Sequence, residues 1–151
     1  MTYFKFFPKD LKLKGFQYKV GLNEDTNEFD STPECGPGGL YYTDIHNLEK
    51  FKDYGEMIGI IKIPSDTPIV KIEDYQGVKY KSPKIDIIDI MTYKEFIYNK
   101  DIYQEEKMKC KDPVLKLIMA KEQTPEMCLE AVKRNGEALS YIKEQTSEMC
   151  L

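Results

Sequence analysis

Several residue types that build metal, membrane and nucleic-acid sites are scarce in this sequence. There is no tryptophan, one histidine (His46) and one arginine (Arg134), and the four cysteines form no Cys-x-x-Cys pair. A zinc site needs about four converging sulfur or nitrogen ligands, so no metal site is predicted. No apolar run approaches the roughly 18–20 residues of a membrane span, and the first residues are not those of a secretory signal. The sequence therefore predicts an intracellular protein that is neither secreted nor embedded in a membrane.

The charge balance is acidic and evenly mixed. The net charge is −4 and the isoelectric point is about 5.2, with lysines interleaved among acids. This pattern argues against a basic groove, so no nucleic-acid partner is predicted. Hydrophobic residues make up 41% of the chain, enough for one globular core. The 11 tyrosines favour a recognition surface, because tyrosine buries area at low entropy cost, although the codon bias of an AT-rich genome also enriches tyrosine.

The first 104 residues are predicted to form an α+β domain with a mostly antiparallel sheet and one or two helices. Strand-type patterns occur at residues 15–22, 40–42, 57–63, 69–73, 78–81 and 84–90, and a further strand is expected within 1–14. In the first of these patterns, Phe16, Tyr18 and Val20 are expected to face one way. The continuously apolar run at 57–63 predicts a central strand.

Two helices are predicted in this domain. Thr43 or Asp44 can cap the first, which is expected to end at Gly55. Its buried stripe is predicted to be Ile45, Leu48, Phe51 and Tyr54. A capping box at 92–95 opens the second helix.

A loop rich in glycine and proline lies at 35–39 and runs into two tyrosines. Its glycines can take positive φ values or approach another group closely. Such a loop can cradle a phosphate, but this one lacks Gly-Lys-Ser/Thr and leads into a strand, which favours a tight turn with close packing. The candidate ligand pocket beside this loop consists of Tyr18, Gly38, Gly39, Tyr41 and Tyr42.

Three residue types of a nucleophilic triad occur near one another in the sequence as Cys35, Asp44 and His46. A capped helix start explains Asp44 and His46 without catalysis, and no sequence feature brings His46 to Cys35. We therefore predict no catalytic residues and no cofactor.

Helix formers dominate from residue 105, and an internal repeat appears there. Residues 121–129 return as 143–151 with eight of nine positions identical, a period of 22. Each copy carries a threonine N-cap followed by proline or serine, and Asn135-Gly136 marks a helix end. A helix–turn–helix unit of this length indicates a small solenoid. We therefore predict an α+β domain at 1–104 and a truncated, all-α helical repeat at 105–151.

Repeat arrays usually need about three or more units to bury a common core. The second copy stops at Leu151, so either the chain is a remnant of a longer repeat protein, or its last helix packs on the first domain or on another chain. The predicted association surface consists of Met127, Leu129, Val132, Leu139, Ile142 and Met149.

Two segments resemble proteins of giant amoebal DNA viruses. The motif Thr-x-Glu-Met-Cys-Leu-Glu-Ala-Val-x-x-Asn-Gly-x-Ala-Leu at 124–139 resembles a short helical repeat of unknown function in those viruses. The motif Cys-Gly-Pro-Gly-Gly-Leu-Tyr-Tyr-Thr at 35–43, with Tyr54-Gly55 and the apolar strand ending at Pro64, resembles the amino-terminal domain that precedes ankyrin or other repeats. The resemblance implies a viral protein, in the host cytoplasm or the virion, whose repeats bind partners.

A more distant likeness concerns residues 38–42, Gly-Gly-Leu-Tyr-Tyr, which are similar to the Gly-x-Gly-Ile-Tyr-Phe segment of ADP-ribosyltransferases. That likeness implies that Tyr41 would stack on nicotinamide and that a histidine would lie on the strand at 16–20. This strand has neither histidine nor arginine, so the NAD clamp of those enzymes is absent.

The function predicted from these observations is a non-enzymatic protein–protein interaction module. Its partner is a host or viral protein or a second copy of the chain, in a homodimer formed through residues 105–151. The alternative is a nucleotide-binding or NAD-binding domain that uses the glycine-rich loop and Tyr41.

Overall fold

The computed structural model describes residues 1–143 and divides the chain into two compact units, Met1–Lys94 and a second that begins at Glu95. The first unit contains antiparallel sheets and a 3-10 helix, and the second contains short helices. The predicted α+β class is therefore confirmed. Within the described residues, no helix has the length and apolarity needed to cross a bilayer.

Nine strands form three antiparallel sheets in the first unit. They are β1 Tyr3–Phe7, β2 Lys12–Leu13, β3 Phe16–Gln17, β4 Gly21–Glu24, β5 Leu40–Tyr42, β6 Met57–Lys62, β7 Val70–Asp74, β8 Gly77–Ser82 and β9 Lys84–Thr92. The largest sheet has the order β1-β6-β9-β4, β2 pairs with β3, and the third sheet has the order β5-β8-β7. β6 is an interior strand, as its apolar run predicts.

Strand β6 is buried on both faces, which explains why its sequence does not alternate. Ile58, Ile60 and Ile61 are fully buried. The Phe7 ring packs against Gly59 and needs a glycine there, because a Cβ at residue 59 would lie only 2.7 Å from that ring. Phe7 also packs edge-on against Tyr18, with ring centroids 5.1 Å apart. The core of the first unit is therefore centred on β1 and β6.

One backbone bridge joins the edge strand β1 to the residue that follows β5. Phe4 and Thr43 exchange two backbone hydrogen bonds of 2.8 Å, which form an isolated antiparallel bridge. The bridge leaves β1 and β5 bonded to different neighbours along the rest of their length, β6 and β8. Space is thereby available between the two strands.

A 3-10 helix, Ile45–Tyr54, follows β5 and is capped as predicted. Asp44 accepts hydrogen bonds from the backbone N–H groups of His46 and Asn47, and Gly55 follows the last turn. Three residues of the predicted stripe are buried, whereas Tyr54 is 42% exposed at the helix end. A spacing of exactly three along this stripe suits the 3.0 residues per turn of a 3-10 helix better than an α-helix.

The predicted continuous strand at 15–22 is wrong. β3 and β4 belong to different sheets, and Tyr18 is buried while Val20 is 62% exposed. The side chain of Asn23 accepts a hydrogen bond from Lys19 N and donates one to Lys19 O, at 3.0 and 2.8 Å. This local pairing bends the chain between the two strands, so Val20 does not follow the alternation that its position predicted.

The second unit is built from short helices, and side chains cap the last three of them. The helices are α1 Tyr93–Tyr98, α2 Gln104–Lys107, α3 Pro113–Met119, α4 Pro125–Arg134 and a 3-10 helix at Gly136–Tyr141. Asp112, Thr124 and Asn135 cap the last three, and proline occupies the first turn of α3 and α4. The predicted Thr124 cap and the helix end at Asn135-Gly136 are confirmed.

Two glutamines make equivalent contacts in successive helix pairs of the second unit. Gln104 donates from Nε2 to Met119 O at 2.7 Å, and its Oε1 accepts the Lys121 N–H at 2.9 Å. Gln123 makes the same two bonds one helix pair later. Its Nε2 donates to Tyr141 O at 2.7 Å, at the end of the second 3-10 helix, and its Oε1 accepts the Lys143 N–H at 2.9 Å. The helix pair that starts at Gln104 is thus closed by the same glutamine hydrogen bonds as the pair that follows it.

Candidate functional site

A cavity of about 590 Å³ lies within the first unit, beside the space between β1 and β5. Its walls come from β1, β5, the segment 13–18, the loop 25–27 and the glycine-rich loop. All five residues of the predicted ligand pocket line it, namely Tyr18, Gly38, Gly39, Tyr41 and Tyr42. The structure therefore brings together residues that lie more than twenty positions apart in the sequence.

The glycine-rich loop is packed closely against its neighbours. Gly38 has a φ of +95°, and a Cβ there would lie 2.5 Å from the carbonyl oxygen of Glu28. Gly39 lies against the stem of the fully buried Lys81, whose Nζ donates to Glu34 O at 3.0 Å. Asp25 accepts the Gly39 N–H at 2.8 Å. The backbone of this loop is thus held by a lysine and an aspartate, which gives the cavity a fixed wall.

The three predicted tyrosines occupy different environments. The Tyr41 hydroxyl donates to Gly36 O at 2.6 Å and accepts the Gly36 N–H at 2.8 Å, so it fastens its own loop. Tyr42 is buried, and its hydroxyl shares a 2.6 Å hydrogen bond with Ser82 Oγ. Burial and, to a smaller extent, the Asp25 carboxylate raise the pKa of Tyr18. All three therefore act as uncharged walls near neutral pH.

Lys5 is a cavity residue that the sequence did not predict. It lies on β1 opposite Gly59, between the buried Tyr3 and Phe7 on the same face. Its Nζ donates to Tyr41 O at 2.5 Å and lies 5.0 Å from the centre of the Tyr18 ring. Burial, assisted by the Lys14 ammonium, lowers the pKa of Lys5 to about 7. A lysine with a lowered pKa in a cavity is a common mark of a functional site.

Cys35 lies on the rim of the same cavity, next to two charged groups. Its Sγ donates to Asp74 Oδ2 at 3.5 Å, and Lys79 forms an ion pair with Asp74 at 3.2 Å. Burial lowers the pKa of Lys79, but contacts with Cys35 and Asp74 outweigh it and leave that pKa raised. Lys79 is therefore a cation already paired within the protein.

Asp44, the acidic member of the triad considered with Cys35 and His46, is engaged elsewhere, and Cys35 contacts Asp74 instead. Asp44 is occupied by the helix cap and by the Tyr80 hydroxyl, which donates to it at 2.7 Å. Within residues 1–143, no group of three or more histidine, cysteine or acidic side chains is placed to hold a metal ion.

The predicted association residues belong to the second unit and differ in exposure. Ile142 is only 6% exposed and forms part of the core of that unit. Met149 lies outside the described residues. Four others are half-buried and pack on the edge of this core, namely Met127, Leu129, Val132 and Leu139.

The sequence is similar to mimivirus proteins named for ankyrin repeats. It is 38% identical over 109 residues to a "Putative ankyrin repeat protein" of Acanthamoeba polyphaga mimivirus, an alignment that covers 66% of this chain and 54% of that protein. A second mimivirus protein, also named a putative ankyrin repeat protein, is 33% identical over 102 residues, and the alignment covers 62% of this chain and 31% of that protein. A third is 32% identical over 88 residues, covering 51% and 29%. The chain thus spans about half the length of the first relative and less of the others.

No family model matches the sequence, and no solved structure matches it significantly. The likeness to ADP-ribosyltransferases therefore finds no support. The comparisons point instead to giant-virus proteins, and the chain is a relative of mimivirus proteins that carry the ankyrin repeat name.

Proposed function

We propose that the chain is a protein–protein interaction module of a giant virus. The observation that carries this proposal is its similarity to mimivirus proteins named for ankyrin repeats. Repeat proteins of this kind stack units into an extended surface that binds partners. The chain spans about half of its first relative, so the role of the relatives' remaining parts does not enter the proposal.

The second unit offers the surface for such binding. Successive helix pairs, held by equivalent glutamine bonds, place a core of Leu117, Cys128 and Ala131 beneath half-buried apolar side chains. An ankyrin unit has a period of about 33 residues, whereas the sequence repeat here has a period of 22. The helices of this unit are therefore a different repeat from ankyrin, one that uses the same stacking principle.

The proposed binding surface consists of the half-buried Met127, Leu129 and Val132 of α4 and Leu139 of the following 3-10 helix, and we call it the α4 face. Side chains packed on a core on one side and open to solvent on the other can be covered by a further helix pair. The specific form we propose is a homodimer through this face, in the host cytoplasm or the virion. A host or viral protein that presents an apolar helix is the other partner that suits the same face.

Light scattering after size exclusion tests the homodimer. Val132→Asp places a charge on the α4 face, and Tyr98→Asp places the same charge on a side chain that is 53% exposed elsewhere in the unit. We expect dimers for the wild type and Tyr98→Asp and monomers for Val132→Asp, at matched thermal midpoints. Monomers in all three would exclude self-association, and capture of a different partner would then test the α4 face.

A further inference from the structure

The cavity of the first unit has more positive than negative groups on its walls. Three lysines line it, Lys5, Lys14 and Lys79, against one aspartate, Asp25. Asp25 is already bonded to the glycine-rich loop, and Lys79 is already paired with a carboxylate outside the lining. The excess contrasts with the chain as a whole, whose net charge is −4. The walls therefore favour an anion over a cation.

The Lys5 ammonium uses only part of its hydrogen-bonding capacity. An ammonium group has three N–H donors. One of them bonds Tyr41 O, and the faces of Tyr18 and Phe7 lie 5.0 and 5.8 Å from Nζ. Among the side chains of residues 1–143, no carboxylate forms an ion pair with Lys5. Two donors thus remain for a group that enters the cavity.

The rest of the cavity suits a flat apolar body. Its volume of about 590 Å³ falls within the usual range for small-molecule sites, about 300–1,000 Å³. Phe16 and Tyr18 line it and contact each other at a tilt of 57°, with ring centroids 4.6 Å apart, and the half-exposed ring of Tyr54 lines it as well. Each of these rings offers its own face or edge to a planar aromatic ligand.

We propose that this cavity binds a small organic anion with a flat aromatic body, and that the Lys5 ammonium holds its carboxylate or phosphoryl group. The site lies wholly within the first unit, so it is independent of the interaction proposed for the second unit. Loss of one activity would leave the other intact.

Isothermal titration calorimetry with three probes that share one ring system tests this site. The probes are 2-naphthoate, 2-naphthyl phosphate and the uncharged 2-naphthol. We expect both anions to bind at least tenfold more tightly than 2-naphthol, because a hydrogen bond to a charged group is among the stronger polar contacts. The stronger of the two anions identifies a carboxylate or a phosphoryl ligand. Equal binding of 2-naphthol, or no binding of any probe, would overturn the proposal.

Two lysine variants separate the site from general electrostatic attraction. Lys5→Met keeps the apolar stem and removes the ammonium, and it should weaken anion binding about 10- to 100-fold. Lys12→Met removes the same charge from an exposed residue outside the cavity and should bind as the wild type does. Thermal unfolding of both variants shows that they are folded. Wild-type affinity in a folded Lys5→Met variant would contradict the assignment.

The pH dependence provides a second readout for Lys5. Because burial lowers its pKa to about 7, 2-naphthoate should bind most tightly below that pH and more weakly as the pH rises through it. The other charged groups that face the cavity are Lys14, Lys79 and Asp25, with Cys35 on the rim. A Cys35→Ser variant controls for the thiol on the rim. An affinity that stays constant between about pH 6 and pH 9 would contradict the role of Lys5.

Discussion

Replacing Gly38 by alanine tests the packing of the loop that forms one wall of the cavity. The φ of +95° at this residue is a left-handed conformation that costs an L-residue about 1–2 kcal/mol. An alanine Cβ would also lie 2.5 Å from Glu28 O and 2.9 Å from Asp30 N, both of them backbone atoms. Overpacking of this kind costs about 1–3 kcal/mol. We therefore expect Gly38→Ala to lower the free energy of unfolding by about 2–5 kcal/mol, a large share of the 5–15 kcal/mol typical of a domain.

Gly15→Ala is the matched control, because it carries the backbone cost without the clash. Its φ is +81°, and apart from Gly15 and its two chain neighbours no atom of the described residues lies within 4 Å of the Cβ position. We expect a loss of about 1–2 kcal/mol for this variant. Urea unfolding followed by far-ultraviolet circular dichroism measures both changes. Equal losses for the two variants would show that the loop at Gly38 is not packed against residues 28–30, and would refute the reasoning.

Three further variants test other parts of the structure. Gln123→Ala removes two hydrogen bonds that close the helix pair formed by α4 and the 3-10 helix after it, and it should lower the stability of the second unit by about 1–2 kcal/mol in thermal unfolding. An unchanged stability would contradict this structural role of Gln123. Tyr42→Phe leaves the buried Ser82 hydroxyl without its 2.6 Å partner and should cost about 1–3 kcal/mol in urea, whereas Tyr75→Phe, at 95% exposure, should cost nothing. Burial, assisted by a neighbouring ammonium, lowers the pKa of Lys107 to about 8, whereas the pKa of a lysine in the unfolded chain is near 10.4. Between these two pH values the unfolded chain binds more protons than the folded chain, so the free energy of unfolding rises with pH. Lys107→Met should flatten this rise in urea midpoints, and an unchanged slope would contradict the shift.

Local sequence patterns predicted the parts of the fold that depend on near neighbours. The apolar run at 57–63 identified the interior strand β6, because a strand buried on both faces needs apolar residues at every position. The capping residues Asp44 and Thr124 identified two helix starts, because a cap bonds to N–H groups within three residues of itself. The bend between β3 and β4 was missed, since it depends on the side chain of Asn23 closing back on Lys19.

The candidate site was predictable only in part. The glycine-rich loop and its tyrosines stand out by composition, and all of them line the cavity. Lys5 does not stand out, because its role depends on pairing β1 with β6 and on a bond to Tyr41 across 36 positions. The sequence contained one signal. Tyr3, Lys5 and Phe7 are spaced two residues apart, so they share one face of a strand, and a lysine on this otherwise apolar face is unusual.

The repeat in the second unit shows the same limit. The copies at 121–129 and 143–151 can be recognised because their sequences are nearly identical. The helix pair that begins at Gln104 has a much shorter first helix, α2, and a different sequence, although it makes the same glutamine hydrogen bonds. The similarity of this helix pair to the next one is visible only in the structure, where the two glutamines contact equivalent backbone groups.

Affinity capture is the most direct test that the second unit is an interaction surface. The tagged chain, its Val132→Asp variant and its Tyr98→Asp variant would be expressed in Acanthamoeba cells infected with mimivirus, and the proteins retained on each would be quantified by mass spectrometry. The account predicts a partner, or a second copy of the chain, that wild type and Tyr98→Asp retain and Val132→Asp loses. Equal recovery of the same proteins by all three folded chains would contradict it.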